Sequence, residues 1–593
     1  MILVFGGTTE GRRAVEVLEE AGTPYYYSTR GDMQQTQMVH GRRLTGTMDA
    51  AQTATFCREH AIRLLVDAAH PFAGELHRNL LTAAAATGVP LIRYDRIYPA
   101  HDADAVWCRD YDDAISQLEA HGVERLLALT GVNTIGRMRR YWEKHECWWR
   151  ILDRSESKTL AERHHFAEDH LVYYEHDSTD ALISMLHPQA ILTKESGLSG
   201  GFVEKSDAAR HAGIKLFVVE RPPYPPPTVN NQLPAIHYVD GPHGLRRAVE
   251  RLLPEFYPLK SGLTTGTCAT AAAIAATRRL LTGEEPAEVG VVLPDGETIS
   301  VGVGYGDGYA YCIKDAGDDP DVTDGIEVRA AVEPYDSFEI RGGRGVGRFT
   351  LPGFDYPPGS PAINKSPRRM IEDNVSSITK SKLSITISVP DGEAIAQKTF
   401  NPRLGIEGGI SIIGVSGIVK PFSEEAFIES IRKCMEVARA SGSERVVINS
   451  GAKSERFVRS LYPTLPRQAF VEYGNYIGQT LGIADELGFA HVTLGVMLGK
   501  AVKLAAGHLD THSRRATMDK AFIAAMLAEA GCPTDLGDVT LARELWQRLD
   551  AEGAQRFADV VMAHCYSHCR PLVPHSDLRL LLIDDDGHIY GTP

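Results

Sequence analysis

The stretch KSGLTTGTCATAAAIAA, Lys260 to Ala276, constrains this chain most, because a turn of small residues runs there straight into an alanine-rich helix. It follows the proline-rich run Arg221 to Pro227 (RPPYPPP) and a short polar stretch ending at Tyr257-Pro258, so a new globular unit is expected to begin with it. Thr264, Thr265, Gly266, Thr267 and Cys268 set hydroxyls, a thiol and a flexible backbone beside the free N–H groups of a first helical turn. Two readings stand side by side: a ligand cradle, and a capped helix whose small residues allow close packing.

At 593 residues, and roughly 150 per domain, about four domains are expected, each able to bury its own core. A net charge of -15 excludes a general nucleic-acid or anionic-membrane surface, so any anionic substrate must be met by local basic residues. The nine cysteines are scattered and odd in number, which points to reduced thiols and a cytoplasmic setting. Met1 leads directly into ILVFGG, and no apolar run approaches the ~20 residues of a membrane helix. Homo-oligomerisation stays open.

Ile2 to Phe5 meets Gly6, Gly7, Thr8, Thr9, Glu10, Gly11 and Arg12, after which apolar residues recur at helical spacing. A strand, a glycine turn and a helix let backbone N–H groups approach a pyrophosphate, the core of dinucleotide binding. Arg12-Arg13 stand where a Walker A loop needs Lys and Ser/Thr. The next strand, Pro24 to Tyr27, ends in Ser28, Thr29 and Arg30 rather than an acid, which favours a 2′-phosphate and hence NADPH over NADH. His70 follows the strand Arg63 to Val66 in the loop DAAHPFA, and the polar loop Lys194 to Gly201, with Ser196 and Gly197, follows the strand Ala190 to Thr193. Strand ends are where open parallel sheets bind ligands.

GGTTEGR, DAAHPFA, RYDR (Arg93 to Arg96), TKESGLSGGFVEKSDAA and ERP together resemble the precorrin-6A reductases of corrin biosynthesis, across nearly the whole first half. The resemblance implies two Rossmann-like lobes with a nicotinamide cofactor and a tetrapyrrole between them. It departs from the family at Ala69, where a threonine is expected before His-Pro. His70 and Lys194 are the candidate proton donors or substrate clamps.

Beyond the alanine-rich helix the chain turns strand-rich and delivers Lys314, Asp315, Asp318, Asp319 and Asp321 in one loop. The EF-hand order is missing, so the loop reads as a turn whose carboxylates order backbone and hold ligand hydroxyls or amines. Asn364 with Arg368, and Lys398 with Asn401 and Arg403, pair asparagines with cations beside proline, a pattern suited to gripping carboxylates. From Ser423 a helix–strand pattern returns, with Asn449, Gly451, Gly474, Asn475 and Gly499 at strand ends where a nucleoside could approach backbone. The crowded His564, Cys565, His568, Cys569 and His575 have nonstandard spacing, and no metal site is expected.

TTGTCATAAAIAA, KDAGDDPDVT, GVGRFTLPG, PAINKSPRRMI, SVPDGEAIAQKTFNPRLGIEGGISIIGVSGIV and the GK and KLAAGHLDTHS segments closely resemble the cobalt-precorrin-5B C(1)-methyltransferases. That resemblance implies S-adenosylmethionine as donor and a cobalt-containing, carboxylate-rich tetrapyrrole as acceptor. Thr264, Thr265, Thr267, Lys314, Asp315, Asn364, Arg368, Lys398, Asn401 and Arg403 are then the candidate substrate contacts, joined in the first half by Ser196 and Gly197.

The expectation is an α/β and α+β multidomain protein. Residues 1–253 form a reductase of two Rossmann-like lobes, about 1–100 and 101–253. Residues 258–593 form a methyltransferase with a strand-rich α+β part, about 258–422, and a small α/β part, about 423–593. The two family roles are consecutive, methylation then reduction. A non-catalytic corrinoid carrier or sensor is the rival, but it would not need two cosubstrate sites.

Overall fold

The computed structural model describes residues 1–593 apart from 32–35, 175, 226–234, 513–514 and 592–593; Pro226 and Pro227 of the proline-rich run therefore lie outside the described residues. Contacts divide the chain into two compact units, Met1–Lys260 with Val292–Ser300, and Ser261–Val291 with Val301–Pro593.

The first unit contains β1 (Ile2–Phe5), β2 (Tyr25–Thr29), β3 (Gly41–Thr45), β4 (Leu64–Asp67), β5 (Leu91–Tyr94), β6 (Val106–Cys108), β7 (Arg125–Ala128), β8 (Glu146–Ile151), β9 (Leu171–Tyr173), β10 (Ala190–Lys194), β11 (Lys215–Val219) and β12 (Ile236–Val239). They form two six-stranded sheets, in the orders β3-β2-β1-β4-β5-β12 and β9-β8-β7-β10-β11-β6. Every neighbouring pair is parallel. A parallel sheet covered on both faces needs continuous apolar runs rather than alternation, and β1, β2, β4 and β5 are buried at every residue. Strand order reverses between β1 and β4 in one sheet and between β7 and β10 in the other, which opens a crevice at those carboxyl ends.

The first lobe is not contiguous in sequence: the expected break near residue 100 falls between β5 and β6, but the second lobe does not continue to residue 253. β12 pairs with β5, and the helix Pro242–Leu252 packs on the helix Thr9–Glu19, so the chain returns to its first sheet. Phe256 and Tyr257, read from sequence as linker, are each only 4% exposed and belong to that lobe's core. The Tyr257 hydroxyl donates to the Val17 carbonyl at 2.9 Å.

In the second unit a five-stranded sheet runs in the order Gly304–Gly306, Tyr309–Ile313, Glu327–Pro334, Leu383–Ser388, Glu339–Gly342. The helix Thr265–Thr282 packs on it and against the helix Lys365–Ile378, and its alanines from Ala269 to Ala276 are all buried, the close approach that small side chains permit. A second five-stranded sheet has Phe470–Glu472, Arg445–Asn449, His491–Met497 and Asp577–Ile583 in parallel, with Ile589–Tyr590 antiparallel at its edge.

Candidate active sites

The turn after β1 is set by the tyrosine beneath it. A Cβ on Gly6 would lie 2.4 Å from the Tyr27 ring, and one on Gly11 would lie 2.6 Å from its hydroxyl, so only glycine lets the turn close. The Gly7 N–H donates to that hydroxyl at 3.1 Å. Thr8 caps the helix by accepting from the Gly11 N–H and ties the turn to β4 by donating to the Ala68 carbonyl at 2.8 Å. Thr9 accepts from Arg12 at 3.3 Å. Gly7 is exposed with φ +98° and nothing near a would-be Cβ, leaving bare backbone at the crevice. These features suit a dinucleotide pyrophosphate.

Glu10 is bonded to residues that follow β5 and β10. It is 3% exposed, accepts from Arg96 Nε at 3.1 Å and from the Ser199 hydroxyl, while Arg96 also donates to the Ser196 carbonyl at 2.7 Å. Arg96 thus ties the β1 turn to the β10 loop. Gly197, at φ +67°, lies against Arg96.

Beside this tie sits the loop after β4. Asp67 is fully buried; burial alone would raise its pKa, but Arg93 and His77 hold it below the carboxylate range. His77 Nδ1 lies 2.7 Å from Asp67 and its Nε2 lies 3.1 Å from the His70 carbonyl, so both ring nitrogens face acceptors. Arg93 donates to Asp67 and to the Ala69 carbonyl, each at 3.0 Å. This buried network fixes the His70 loop. His70 Nδ1 accepts from the Phe72 N–H at 3.2 Å, which leaves the proton on Nε2. Burial, with Arg96, Lys194 and Arg93 nearby, lowers its pKa to about 3, so the ring is neutral at physiological pH.

Lys194 ends β10 with its ammonium 5.3 Å from the centre of the Phe72 ring. Burial, reinforced by Lys205, Arg137 and Arg96, lowers its pKa to about 8. Lys205 is also lowered to about 8 by burial and donates to the Gly200 carbonyl at 2.9 Å. Four cations and His70 therefore crowd one end of the crevice, a setting for a polycarboxylate.

In the second unit Phe338, Arg341, Arg348, Tyr356 and Arg368 line a cleft of about 570 Å³. Arg368 is stacked 4.7 Å over the Tyr356 ring and donates to the Ile363 and Ile340 carbonyls at 2.9 and 3.2 Å, and burial lowers its pKa. Arg341 is partly neutralised by Glu339 at 2.7 Å. At the carboxyl edge of the α/β sheet Asn449 pairs with both Glu472 and Gly495 in register. Gly451 opens one helix there, Gly474 and Asn475 precede another, and Gly499 and Lys500 lie in a third.

The chain shares 42% identity with the cobalt-precorrin-5B C(1)-methyltransferase of Prosthecochloris aestuarii, over 56% of this chain and 95% of that protein. The enzyme of the same name from Salinispora arenicola is 44% identical, over 49% of this chain and 80% of its own length. The chain belongs to the cobalt-precorrin-5B C(1)-methyltransferase family. Family models place the CbiD match at residues 254–421 and the CbiD C-terminal domain at 510–593, and the precorrin-6x reductase CbiJ/CobK model matches residues 1–240. Among solved structures, a cobalamin biosynthesis protein (cbiD) from Archaeoglobus fulgidus aligns at 31% identity over 43% of this chain and 83% of its own, with a TM-score of 0.26. A CobK precorrin-6A reductase aligns at 22% identity over 42% and 97%, with a TM-score of 0.35.

In this methyltransferase-family chain several residues expected from sequence to meet ligand are bonded within the chain. At the helix start after Thr264, Thr265 donates to the Ser411 and Ile413 carbonyls, both at 3.3 Å, and Thr267 donates to the Gly417 carbonyl at 2.6 Å. Thr264 accepts from the Thr267 N–H. Lys314 is 2% exposed and paired with Asp321 at 2.7 Å, and Asp315 accepts from the Gly317 N–H, so the aspartate loop organises itself. Asn401 is buried, donating to the Gly409 carbonyl and accepting from Ser411. Arg403 is spent on Glu455 at 2.6 Å. The Asn449 side chain donates to the Val471 carbonyl and accepts from the Gly451 N–H, tying the two strand ends together. Ser28 and Thr29 are buried in β2, which runs two residues past Tyr27, and Thr29 donates to the Gly31 carbonyl.

Arg30, Lys398, Gly7 and Lys365 remain exposed, and Asn364 starts the helix Lys365–Ile378 with a buried Oδ1 that lacks a partner. Cys565 and Cys569 face the core, while His564 and His575 pair with Glu529 and Asp485. Sequence reasoning missed Asp67, His77, Arg96 and Arg341. Asp67 and Arg96 lay within quoted motifs, but the role of Asp67 depends on partners 10 and 26 residues away and that of Arg96 on partners 86 and 100 residues away.

Proposed function

We propose that this chain carries out two consecutive steps of corrin ring synthesis. The second half methylates carbon 1 of cobalt-precorrin-5B with S-adenosylmethionine to give cobalt-precorrin-6A; the first half reduces that product with NAD(P)H to cobalt-precorrin-6B. The observation that carries the reading is the pairing of a full-length methyltransferase match with a separate reductase match over residues 1–240.

In the first half the bound nicotinamide supplies the hydride. Lys194, with a pKa near 8, is protonated at neutral pH and acidic enough to give its Nζ proton to the ring carbon next to the one reduced. His70, being neutral, donates from Nε2 as a positioning hydrogen bond. Lys205, Arg137 and Arg96 supply the field for the substrate carboxylates. Exposed Arg30, directly after β2, favours NADPH.

In the second half the sulfonium donor supplies the methyl group. The protein's part is alignment: Arg341, Arg348 and Arg368 hold ring carboxylates while Tyr356 and Phe338 meet apolar surface. Lys398, which is exposed, is a further candidate carboxylate contact.

The test is incubation of the purified chain with cobalt-precorrin-5B and each cosubstrate, followed by mass spectrometry. S-adenosylmethionine alone should add one methyl group, and NADPH should then add two hydrogen atoms. A mass unchanged with S-adenosylmethionine defeats the reading.

A further inference from the structure

The reading of residues 423–593 as the donor-binding part leaves one carboxylate unexplained. Glu472 is the last residue of the second strand in its sheet, directly beside Asn449 in register, at the carboxyl edge. It is only half-exposed, yet among the described residues it makes no hydrogen bond and no ion pair, and burial raises its pKa. Its cationic neighbours are engaged elsewhere: Arg403 pairs with Glu455 at 2.6 Å, and Lys500 donates to the Gly474 carbonyl. A partly buried carboxylate without donors is costly, and the cost is relieved by a ligand that brings hydrogen-bond donors.

The surroundings say which donors. A Cβ on Gly451, whose φ is +155°, would lie 3.1 Å from Glu472 Oε1, so bare backbone at a helix start faces the carboxylate across a gap that a side chain would fill. Phe400, Phe427 and Phe470 line a slot of about 10 Å³ beside Glu472, room for about one water, so the carboxylate and not the slot carries the recognition. In doubly wound sheets an acid about 20 residues beyond the first glycine turn accepts from a ribose diol. In the first lobe the corresponding strand ends in Ser28 and Thr29, with Arg30 directly after them. One chain would thus distinguish a phosphorylated ribose in one half from a free diol in the other.

We propose that Glu472 accepts the hydrogen bonds of the adenosine 2′- and 3′-hydroxyls of S-adenosylmethionine and positions the donor. The inference rests on the methyltransferase reading. Isothermal titration of the full chain with S-adenosylhomocysteine tests it, using Glu472→Ala, Glu472→Gln and an analogue lacking the 3′-hydroxyl. The wild-type chain should lose at least tenfold in affinity for the deoxy analogue. Glu472→Ala should lose as much for the natural ligand and no longer discriminate between the two. Binding by Glu472→Ala within twofold of wild type, or no discrimination by the wild-type chain, overturns the proposal. Failure of the wild-type chain to bind S-adenosylhomocysteine at all instead defeats the methyltransferase reading.

Discussion

Among single residues, Lys194 has the clearest consequence. Its ammonium is depressed to about 8, chiefly by burial, so the acid form is lost as pH rises through that value. The kcat/KM of reduction should fall about tenfold per pH unit above about 8, and Lys194→Ala should remove that limb while lowering the rate by about 10²- to 10⁴-fold. Lys205 titrates in the same range, so a limb that persists in Lys194→Ala would transfer the role to Lys205. At the coenzyme end, Arg30→Ala should raise the KM for NADPH much more than for NADH, since a charge-assisted contact is worth about 1.5–3 kcal/mol. Equal effects would remove Arg30 from the 2′-phosphate site. The placement of His70 and Lys194 at the carboxyl ends of strands was legible from the apolar runs that precede them. The acceptors of the Thr265 and Thr267 hydroxyls were not legible, because a donor's type does not reveal its acceptor and theirs lie about 150 residues on.

At the level of elements, the hairpin tip Val292–Ser300 makes a contact that no local pattern announced. Glu297, 1% exposed, accepts from the His243 N–H at 3.1 Å and from the Gly244 N–H, capping the helix Pro242–Leu252 in place of a side chain at Gly241. Glu297 also forms, with His243 and Asp295, a group of atoms within 4.8 Å of one another, but its oxygens already serve as the cap. Burial outweighs those two bonds, and Asp295 and Asp240 add repulsion, so its pKa rises to about 7. A carboxyl raised in the folded state contributes stability that is fully present below its unfolded pKa and lost as pH rises through the folded one. The first unit should therefore gain on the order of 2 kcal/mol between pH 7.5 and 5.5, read as a higher Tm, and Glu297→Gln should flatten the difference. A gain that survives in the variant would assign the effect to other groups. The same scale corrects the boundary: a fragment of residues 1–253 lacks the buried Phe256 and Tyr257, each worth about 3–5 kcal/mol in a core. It should melt well below a fragment of residues 1–260; equal melting would show those rings to be dispensable.

For the whole molecule, the two-part division was legible because each half begins with its own helix start and ends its own apolar pattern, and the motif sets changed near Pro258. The return of β12 to the first sheet was not, since four residues, IHYV, carry no mark of which strand they join. Two consecutive activities on one chain raise the question of how cobalt-precorrin-6A passes between them. Tethering raises local concentration only where the intermediate is released near the second site, and a flexible connection alone gives modest gains. The chain's net charge of -15 repels a polycarboxylate except along a basic path, so electrostatic guidance should be weak. The intermediate should therefore escape to solvent between steps. A Lys194→Ala chain, able to bind the intermediate but slow to reduce it, is the natural trap: added in excess to the wild-type enzyme working on cobalt-precorrin-5B, it should slow the appearance of cobalt-precorrin-6B severalfold. A coupled rate indifferent to the trap at low and high salt alike would mean that the intermediate never leaves the molecule.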